Sequence, residues 1–155
     1  MSSTETATRK EVYGLKSYDP KRSIGGLLSR VKNDINGALD AELAALDITA
    51  AQFVILMSIA LGEADSACGL CKGMSYDPGA MTRMLDRLER RGLVRRVAHP
   101  NDRRTSNLEL TAEGKAVYPR LRASAMKVLN RFLRGFTQKE ARQMESFLQR
   151  MLENG

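Results

Sequence analysis

Arginine is concentrated in one short stretch of this chain, and its planar guanidinium binds phosphates and guanine edges with two hydrogen bonds at once. The whole chain of 155 residues has 25 Lys and Arg against 18 Asp and Glu, a net charge of +7. The basic side chains gather at Arg83, Arg87, Arg90, Arg91, Arg95, Arg96, Arg103 and Arg104. Such focusing is typical of a nucleic-acid footprint, and a merely solvated basic face is the alternative interpretation.

Local signals place this stretch on one helix and one hairpin. Asp77-Pro78 has the residue types of an N-cap followed by a first-turn proline, and Gly92 supplies a stop. The apolar residues between them repeat at i, i+3, i+4 and i+7, as on the buried side of a helix: Met81, Met84, Leu85 and Leu88. Residues 93–98 and 105–110 have strand character, and turn residues lie between them, so we expect a β-hairpin with a basic tip at residues 99–104.

The rest of the chain is predicted to be helical. A capping box at residues 49–52 opens an apolar core helix, and residues 66–74 form a weaker helix because they contain two glycines. Long amphipathic helices are expected from Asp19-Pro20 to about residue 46, from Thr111, and from Thr137 to the end. A short helix, a turn and a basic helix, followed by a hairpin, predict a winged helix-turn-helix fold that is mainly α with a small β-hairpin wing.

Composition limits the other functional classes. No run of about 20 apolar residues could span a bilayer, and the first twenty residues lack the apolar core of a signal peptide. We therefore expect a cytoplasmic protein in a reducing compartment, without a membrane partner. A single histidine, His99, allows no convincing Ser/His/Asp set, and no phosphate-binding glycine loop stands out. The sequence predicts no enzyme, no catalytic residues and no cofactor.

Cys68 and Cys71 have the spacing of a redox or metal pair. A thioredoxin-like site needs a βαβ setting, and a zinc site needs about four ligands, so neither chemistry is well supported. Helix packing is the favoured interpretation of both cysteines. A redox role stays open as the alternative, and no metal site is predicted.

Residues 82–94 (TRMLDRLERRGLV) resemble the recognition helix and first wing strand of the MarR (multiple antibiotic resistance regulator) family. Residues 101–105 (NDRRT) and 110–114 (LTAEG) resemble its wing signature. The resemblance implies a homodimeric winged helix-turn-helix regulator, usually a repressor, that binds a pseudo-palindromic DNA operator. It divides the chain after residue 18 into a helical dimerisation region (19–48 and 112–155) and a winged helix-turn-helix DNA-binding domain (49–111). Residues 1–18 are polar and lack periodicity, so we expect a flexible arm there.

The resemblance also implies which residues meet DNA. Bases and phosphates are expected near the start and outer side of the recognition helix, Asp102 is expected to brace the wing tip, Arg103 to contact a phosphate, and Arg104 to reach the minor groove. The full expected set is Ser75, Asp77, Gly79, Ala80, Thr82, Arg83, Arg87, Arg95, Asp102, Arg103 and Arg104. Asp77 could instead be only an N-cap, and Asp86 only an intrahelical partner of Arg83 or Arg90.

The start of the first long helix, residues 18–30, resembles that of family members that respond to aromatic carboxylates or phenols. Ser23 and Arg30 would then bind the effector's carboxylate, and Met57 and Leu61 would form an apolar wall. Ser23 as a helix cap and Arg30 as a surface charge are the alternatives. A thiol-responsive regulator that uses Cys68 and Cys71, and a helical protein-interaction module that does not bind DNA, remain alternative functions.

Overall fold

The computed structural model describes residues 11–99 and 101–155, without the side chains of residues 102–105. Its elements are, in chain order, helix α1 (Ile24–Leu43), a 3-10 turn (Ala44–Leu46), α2 (Ala50–Ala60), α3 (Ala67–Met74), α4 (Pro78–Arg90), strands β1 (Val94–His99) and β2 (Asp102–Leu110), α5 (Ala112–Phe132) and α6 (Gln138–Asn154). The strands form one antiparallel hairpin. This arrangement confirms the predicted winged helix-turn-helix fold, mainly α with a small hairpin.

Two compact units divide the chain, one up to Asp34 and one from Ile35. In the first unit, α1 begins at Ile24, so the prediction that Asp19-Pro20 starts the helix is wrong. The Asp19 carboxylate accepts a hydrogen bond from the Lys21 N–H at 2.9 Å, within a separate turn. The Ser23 hydroxyl accepts from the Gly26 N–H at 3.2 Å and supplies the cap instead. Residues 1–10 of the predicted arm lie outside the described residues.

The second unit is built around α2. The predicted capping box is confirmed: Thr49 accepts from the Gln52 N–H, and the Gln52 side chain accepts from the Thr49 N–H. Ile55 and Leu56 of α2 are almost fully buried, as expected for a helix that is apolar on nearly all sides. They share one core with residues of the later elements, including Leu70, Met81, Leu85, Leu88, Val94 and Leu121.

The hairpin is longer on its second strand than the sequence predicts. The two strands pair from Val94 with Leu110 at one end to His99 with Asp102 at the other. The register shifts between Ala98 and His99. Strand β2 therefore begins at Asp102, three residues before the predicted start. The bulge-like irregularity absorbs the change in register and lets pairing continue toward the turn. Arg103 and Arg104 thus belong to strand β2 rather than to the connecting tip.

A close backbone approach joins the hairpin to α5. The Thr111 hydroxyl accepts from the Gly114 N–H at 3.0 Å and caps the helix, as predicted. A Cβ built on Gly114 would lie 2.1 Å from the carbonyl oxygen of Leu93. Only glycine fits this contact without a backbone shift, so the small residue sets how closely α5 packs against the start of β1.

Helix α6 opens with the second predicted capping box, which is confirmed. The Thr137 backbone N–H, and then its hydroxyl, donate to the Glu140 carboxylate and lower the pKa of that carboxyl. A lowered folded-state pKa means stability that is present above the ordinary glutamate range and lost as pH falls through the folded pKa. We therefore expect wild type to exceed Glu140→Gln in unfolding temperature at neutral pH, with the difference vanishing in acid. Thermal melts of both proteins across pH measure this, and a difference that persists below the folded pKa would contradict it.

Candidate nucleic-acid interface

The short helix α3 and the basic helix α4 form the predicted helix-turn-helix. The Ser66 hydroxyl accepts from the Gly69 N–H at 3.2 Å and caps α3. Ser75 adopts a left-handed conformation with φ of 55° and ends it. Asp77 then caps α4, because its Oδ1 accepts from the N–H groups of Gly79 at 2.9 Å and Ala80 at 3.1 Å. The N-cap interpretation of Asp77 is confirmed, and a role on DNA stays a prediction.

Helix α4 has one buried and one exposed side. Met81, Leu85 and Leu88 are buried in the core, as the helical spacing predicted. The opposite side exposes Arg83 and Arg87, and among the described side chains no carboxylate pairs with either. Thr82 is exposed beside them, but its hydroxyl already donates to the Pro78 carbonyl at 2.8 Å. No acidic side chain in the described part of the protein therefore competes with an outside anion for these two arginines.

Arg96 of strand β1 bridges back to α4. Its guanidinium donates to the Asp86 carboxylate at 2.8 Å and also to the Glu89 carboxylate. The hydrogen bond with Asp86 is the main cause that raises the pKa of Arg96, against an opposing effect of partial burial. The interpretation of Asp86 as a side-chain partner of Arg83 or Arg90 is therefore wrong, because its carboxylate pairs with Arg96 of strand β1. Both acidic side chains of α4 are engaged by the wing.

Two further arginines of the basic stretch have partners within the protein. Arg91 donates to the backbone carbonyls of Leu46 at 2.9 Å and of Asp47, which fastens the end of α4 to the turn before α2. Arg95 pairs with Glu109 at 2.8 Å, directly across the hairpin. Counting arginines therefore overstates the free positive charge. For Arg95 the strand alternation and the position of Glu109 could have signalled the pair, whereas nothing local signalled the contacts of Arg91.

Comparison with known proteins agrees with this geometry. The MarR family model matches residues 48–106. MarR of Escherichia coli K12 is 43% identical over 94 residues, which are 61% of this chain and 65% of that protein, just under two thirds of its length. The transcriptional regulator PecS of Dickeya dadantii is 30% identical over 129 residues, 81% of this chain and 78% of that protein. The chain belongs to the MarR family.

A solved structure extends the similarity over nearly the whole fold. It is a mutant of E. coli MarR complexed with operator DNA, and it has 35% sequence identity with this chain and a TM-score of 0.73. The match covers 83% of this chain and 92% of the other. The helix order and the hairpin wing are thus those of MarR-family winged-helix proteins.

The second strand of the MarR-type wing carries three of the predicted DNA contacts. Asp102, Arg103 and Arg104 begin strand β2, but their side chains lie outside the described part of the structure. Their contacts with DNA stay predictions from the family resemblance. His99 lies next to the turn, where its Nδ1 accepts from the Asn101 N–H at 3.2 Å.

The two cysteines lie on α3, within the helix-turn-helix. Cys68 is exposed, and Cys71 is half-buried and packs against the core, which agrees with packing for Cys71 alone. Within residues 11–99 and 101–155, no group of three or more His, Cys, Asp or Glu side chains is placed to hold a metal ion. A redox role for the pair stays an untested alternative.

The predicted effector residues fall in the two separate units. In the first, the Ser23 hydroxyl donates to the Pro20 carbonyl at 3.1 Å besides capping α1, and Arg30 is exposed. In the second, Met57 is half-buried and Leu61 is exposed. The cap interpretation of Ser23 is confirmed, and effector binding by these four residues stays a prediction.

None of the described helices is by itself long and apolar enough to cross a bilayer. Helices α1 and α2 reach the required length and apolar composition only when taken together, as a pair with a sharp bend between them.

The bridge from Arg96 to α4 predicts a modest effect on stability. Because about a third of the Arg96 side chain is exposed to screening solvent, we expect Arg96→Met to lower the free energy of unfolding by about 0.5–1 kcal/mol. Arg95→Met removes the more exposed ion pair on the same strand and serves as the control, with a smaller loss. Urea denaturation of both variants measures the difference, and equal losses would mean that the bridge adds nothing beyond an ordinary surface pair.

Proposed function

We propose that this MarR-family chain is a homodimeric repressor that binds a pseudo-palindromic DNA operator and is released by a small aromatic carboxylate or phenol. The observation that carries the DNA-binding part is the exposed side of α4, where Arg83 and Arg87 lack an acidic partner among the described side chains. The engagement of Asp86 and Glu89 by Arg96 supports it, since it withdraws the acidic charge of the helix from competition with DNA.

In this proposal α4 enters the major groove of B-DNA, which is about 12 Å wide and admits one helix. Arg83 and Arg87 would contact guanine edges or phosphates. At the first turn, exposed Gly79 has no side chain and half-buried Ala80 has only a methyl group, so DNA could approach the start of the helix closely. Ser75 before α4, Arg95 in the first wing strand, and the wing residues of β2 would add contacts beside the groove.

Exposed apolar side chains support the homodimer. Helix α6 leaves Met144, Phe147, Met151 and Leu152 each more than 40% exposed, and α5 likewise exposes Met126 and Leu129. A soluble monomer rarely exposes apolar side chains that follow one helix in this way, and a second copy would bury them. Two copies would present two α4 helices to half-sites about ten base pairs apart, which matches a pseudo-palindrome.

The repressor proposal is tested by binding of the purified protein to its own upstream DNA and to a scrambled duplex across a salt series. We expect a preference of about 10³ or more for the upstream DNA at matched salt, with a steep negative salt dependence. Equal weak binding to both duplexes, and to other genomic fragments, would overturn the proposal in favour of a protein-interaction module.

The effector is the finer part of the proposal and rests on the family resemblance and on the exposed cation Arg30. Salicylate added to the protein–operator complex is expected to release DNA, through a coupling of about 1–3 kcal/mol. Arg30→Gln should weaken the response without changing operator binding in the absence of salicylate. Release by hydrogen peroxide instead, lost in the Cys68→Ser/Cys71→Ser variant, would favour the thiol-responsive alternative.

A further inference from the structure

A notch of about 420 Å³ lies between the start of α2 and the last turns of α4. Its lining residues are Asp47, Thr49, Gln52, Arg87, Arg90 and Arg91. We infer that this notch holds a backbone phosphate of the DNA, at the rim of the groove that α4 enters. The inference rests on the proposed DNA binding and adds Gln52 and Arg90 to the residues that meet DNA.

Gln52 brings an unused hydrogen-bond donor to the notch. The residue is only 6% exposed, and its Oε1 is fixed by accepting the Thr49 N–H at 3.0 Å. Its Nε2 donates no hydrogen bond within the described part of the protein. Every fully buried side-chain nitrogen or oxygen there has a hydrogen-bond partner, so Nε2 is not fully buried. The amide nitrogen therefore reaches solvent from an otherwise buried residue that lines the notch. A donor held in this way is preorganised for an acceptor from outside.

The arginines around the notch give it positive charge. No described carboxylate pairs with Arg87. Within the described part of the protein, Arg90 donates through its Nε alone, to the Asp86 carbonyl at 3.3 Å. Arg91 is held by the Leu46 and Asp47 carbonyls, with the highly exposed Asp47 carboxylate 3.8 Å away. Three guanidinium groups thus face one carboxylate in the lining.

The backbone at the start of α2 contributes less than a free helix end would. Asp40 already accepts the Ala50 N–H at 2.6 Å, so its carboxylate occupies part of the positive helix terminus. The case for a phosphate therefore depends on the side-chain donors of Gln52, Arg87 and Arg90. These donors are charged or neutral N–H groups, which are the usual partners of phosphate oxygens.

The position of the notch along α4 fits a phosphate better than a base. Arg83 and Arg90 are seven residues apart, or about 10 Å along the helix axis. Recognition helices contact base edges through their N-terminal residues. In the proposed binding mode, Arg83 in the first turns of α4 would therefore lie over base edges, and Arg90 in the last turn would lie toward the sugar–phosphate backbone at the groove rim. Phosphate contacts of this kind fix the orientation of a protein on DNA and carry no sequence information.

Two variants and one matched control test the inference. Arg90→Gln removes one charge from the notch, and Gln52→Glu replaces its donor with an anion while keeping the capping box, because glutamate also accepts at that position. Arg134→Gln makes the same charge change on an exposed residue between α5 and α6. Thermal melts confirm that each variant is folded, and operator and scrambled DNA are titrated over a salt series.

We expect Arg90→Gln to weaken binding to both DNAs by the same factor, about ten-fold or more. Its salt slope should become shallower by about 1–2, since a dimer has two notches and each phosphate contact contributes about 0.9. Gln52→Glu should weaken both DNAs similarly, and Arg134→Gln should change little. The inference would be overturned if Arg90→Gln reduced DNA affinity no more than Arg134→Gln does. It would also be overturned if Arg90→Gln weakened binding to the operator but not to scrambled DNA.

A competition experiment with inorganic phosphate tests whether the notch binds a phosphate of the DNA backbone or only a free anion. The titrations are repeated with phosphate in place of part of the chloride at equal ionic strength. Phosphate that competes with DNA in wild type but not in Arg90→Gln supports a notch that the DNA phosphate fills. If inorganic phosphate binds the protein but the notch variants bind DNA as wild type does, the inference is overturned. A preference of wild type and Arg134→Gln for operator over scrambled DNA would still support the proposed function.

Discussion

Replacement of Arg83 by alanine is expected to reduce operator affinity by about 30- to 20,000-fold. A bidentate contact between arginine and guanine discriminates by about 1–3 kcal/mol, and a homodimer loses two of them, or about 2–6 kcal/mol. Arg83 is exposed on α4 and pairs with no described carboxylate, so its removal breaks no ion pair in the described part of the free protein. The measurement is a titration of operator DNA at fixed salt.

The contrast with scrambled DNA shows whether Arg83 specifies sequence. Loss of a base contact should lower operator affinity far more than affinity for the scrambled duplex, so the preference between them should collapse. Arg120→Ala, an exposed arginine of α5, is the control for loss of charge and should keep the preference. Unfolding temperature should be unchanged in both variants. Equal losses on the two DNAs would place Arg83 on the backbone rather than on the bases.

Short-range signals explain the parts of this fold that the sequence predicts well. The caps at Thr49, Asp77, Thr111 and Thr137 are all confirmed, because each bonds to a backbone N–H two or three residues away. The buried side of α4 is likewise confirmed, since helical spacing alone decides which residues face the core. These signals place Arg83 and Arg87 on the exposed side without any tertiary information.

Contacts between distant residues explain what the sequence did not predict. Arg91 binds carbonyls 44 and 45 residues away, and Arg96 reaches back seven and ten residues to α4 once the hairpin folds. No pattern in the sequence indicates that these two arginines bind partners within the protein. The start of α1 at Ile24 was also missed, because both Asp19 and Ser23 have cap chemistry and only the structure shows that Ser23 caps the helix.

The notch is likewise a site that the sequence alone does not predict. Gln52 and Arg90 are 38 positions apart, and their sequence contexts indicate a capping box and a helix end. Only the tertiary fold, which brings the start of α2 near the end of α4, places them in one cavity. In the free protein the capping role uses the Oε1 of Gln52 and leaves its Nε2 available, so one side chain can serve both the fold and the DNA.

Dimer formation through α6 leads to the second large expected effect. Met144→Asp/Met151→Asp puts two charges on the exposed apolar side of α6, and we expect a monomer of 17.2 kDa in place of a dimer of twice that mass. Burying an unpaired carboxylate in an apolar interface is strongly unfavourable. Operator affinity should fall by about 10²–10⁴, since linked binding to two half-sites is lost. Light scattering coupled to size-exclusion chromatography gives the mass, and DNA titration gives the affinity.

The matched control adds the same charge to the polar side of the same helix. Ser146→Asp/Gln149→Asp changes two exposed polar residues, so this variant should remain a dimer and bind the operator nearly as wild type does. The apolar pair is already partly exposed in the single chain, so Met144→Asp/Met151→Asp should retain its helical circular dichroism. If that variant stayed dimeric, α6 would not form the interface, and the exposed apolar residues of α5 would be the next to substitute. A stable monomer that kept full operator affinity would contradict the requirement for two half-sites.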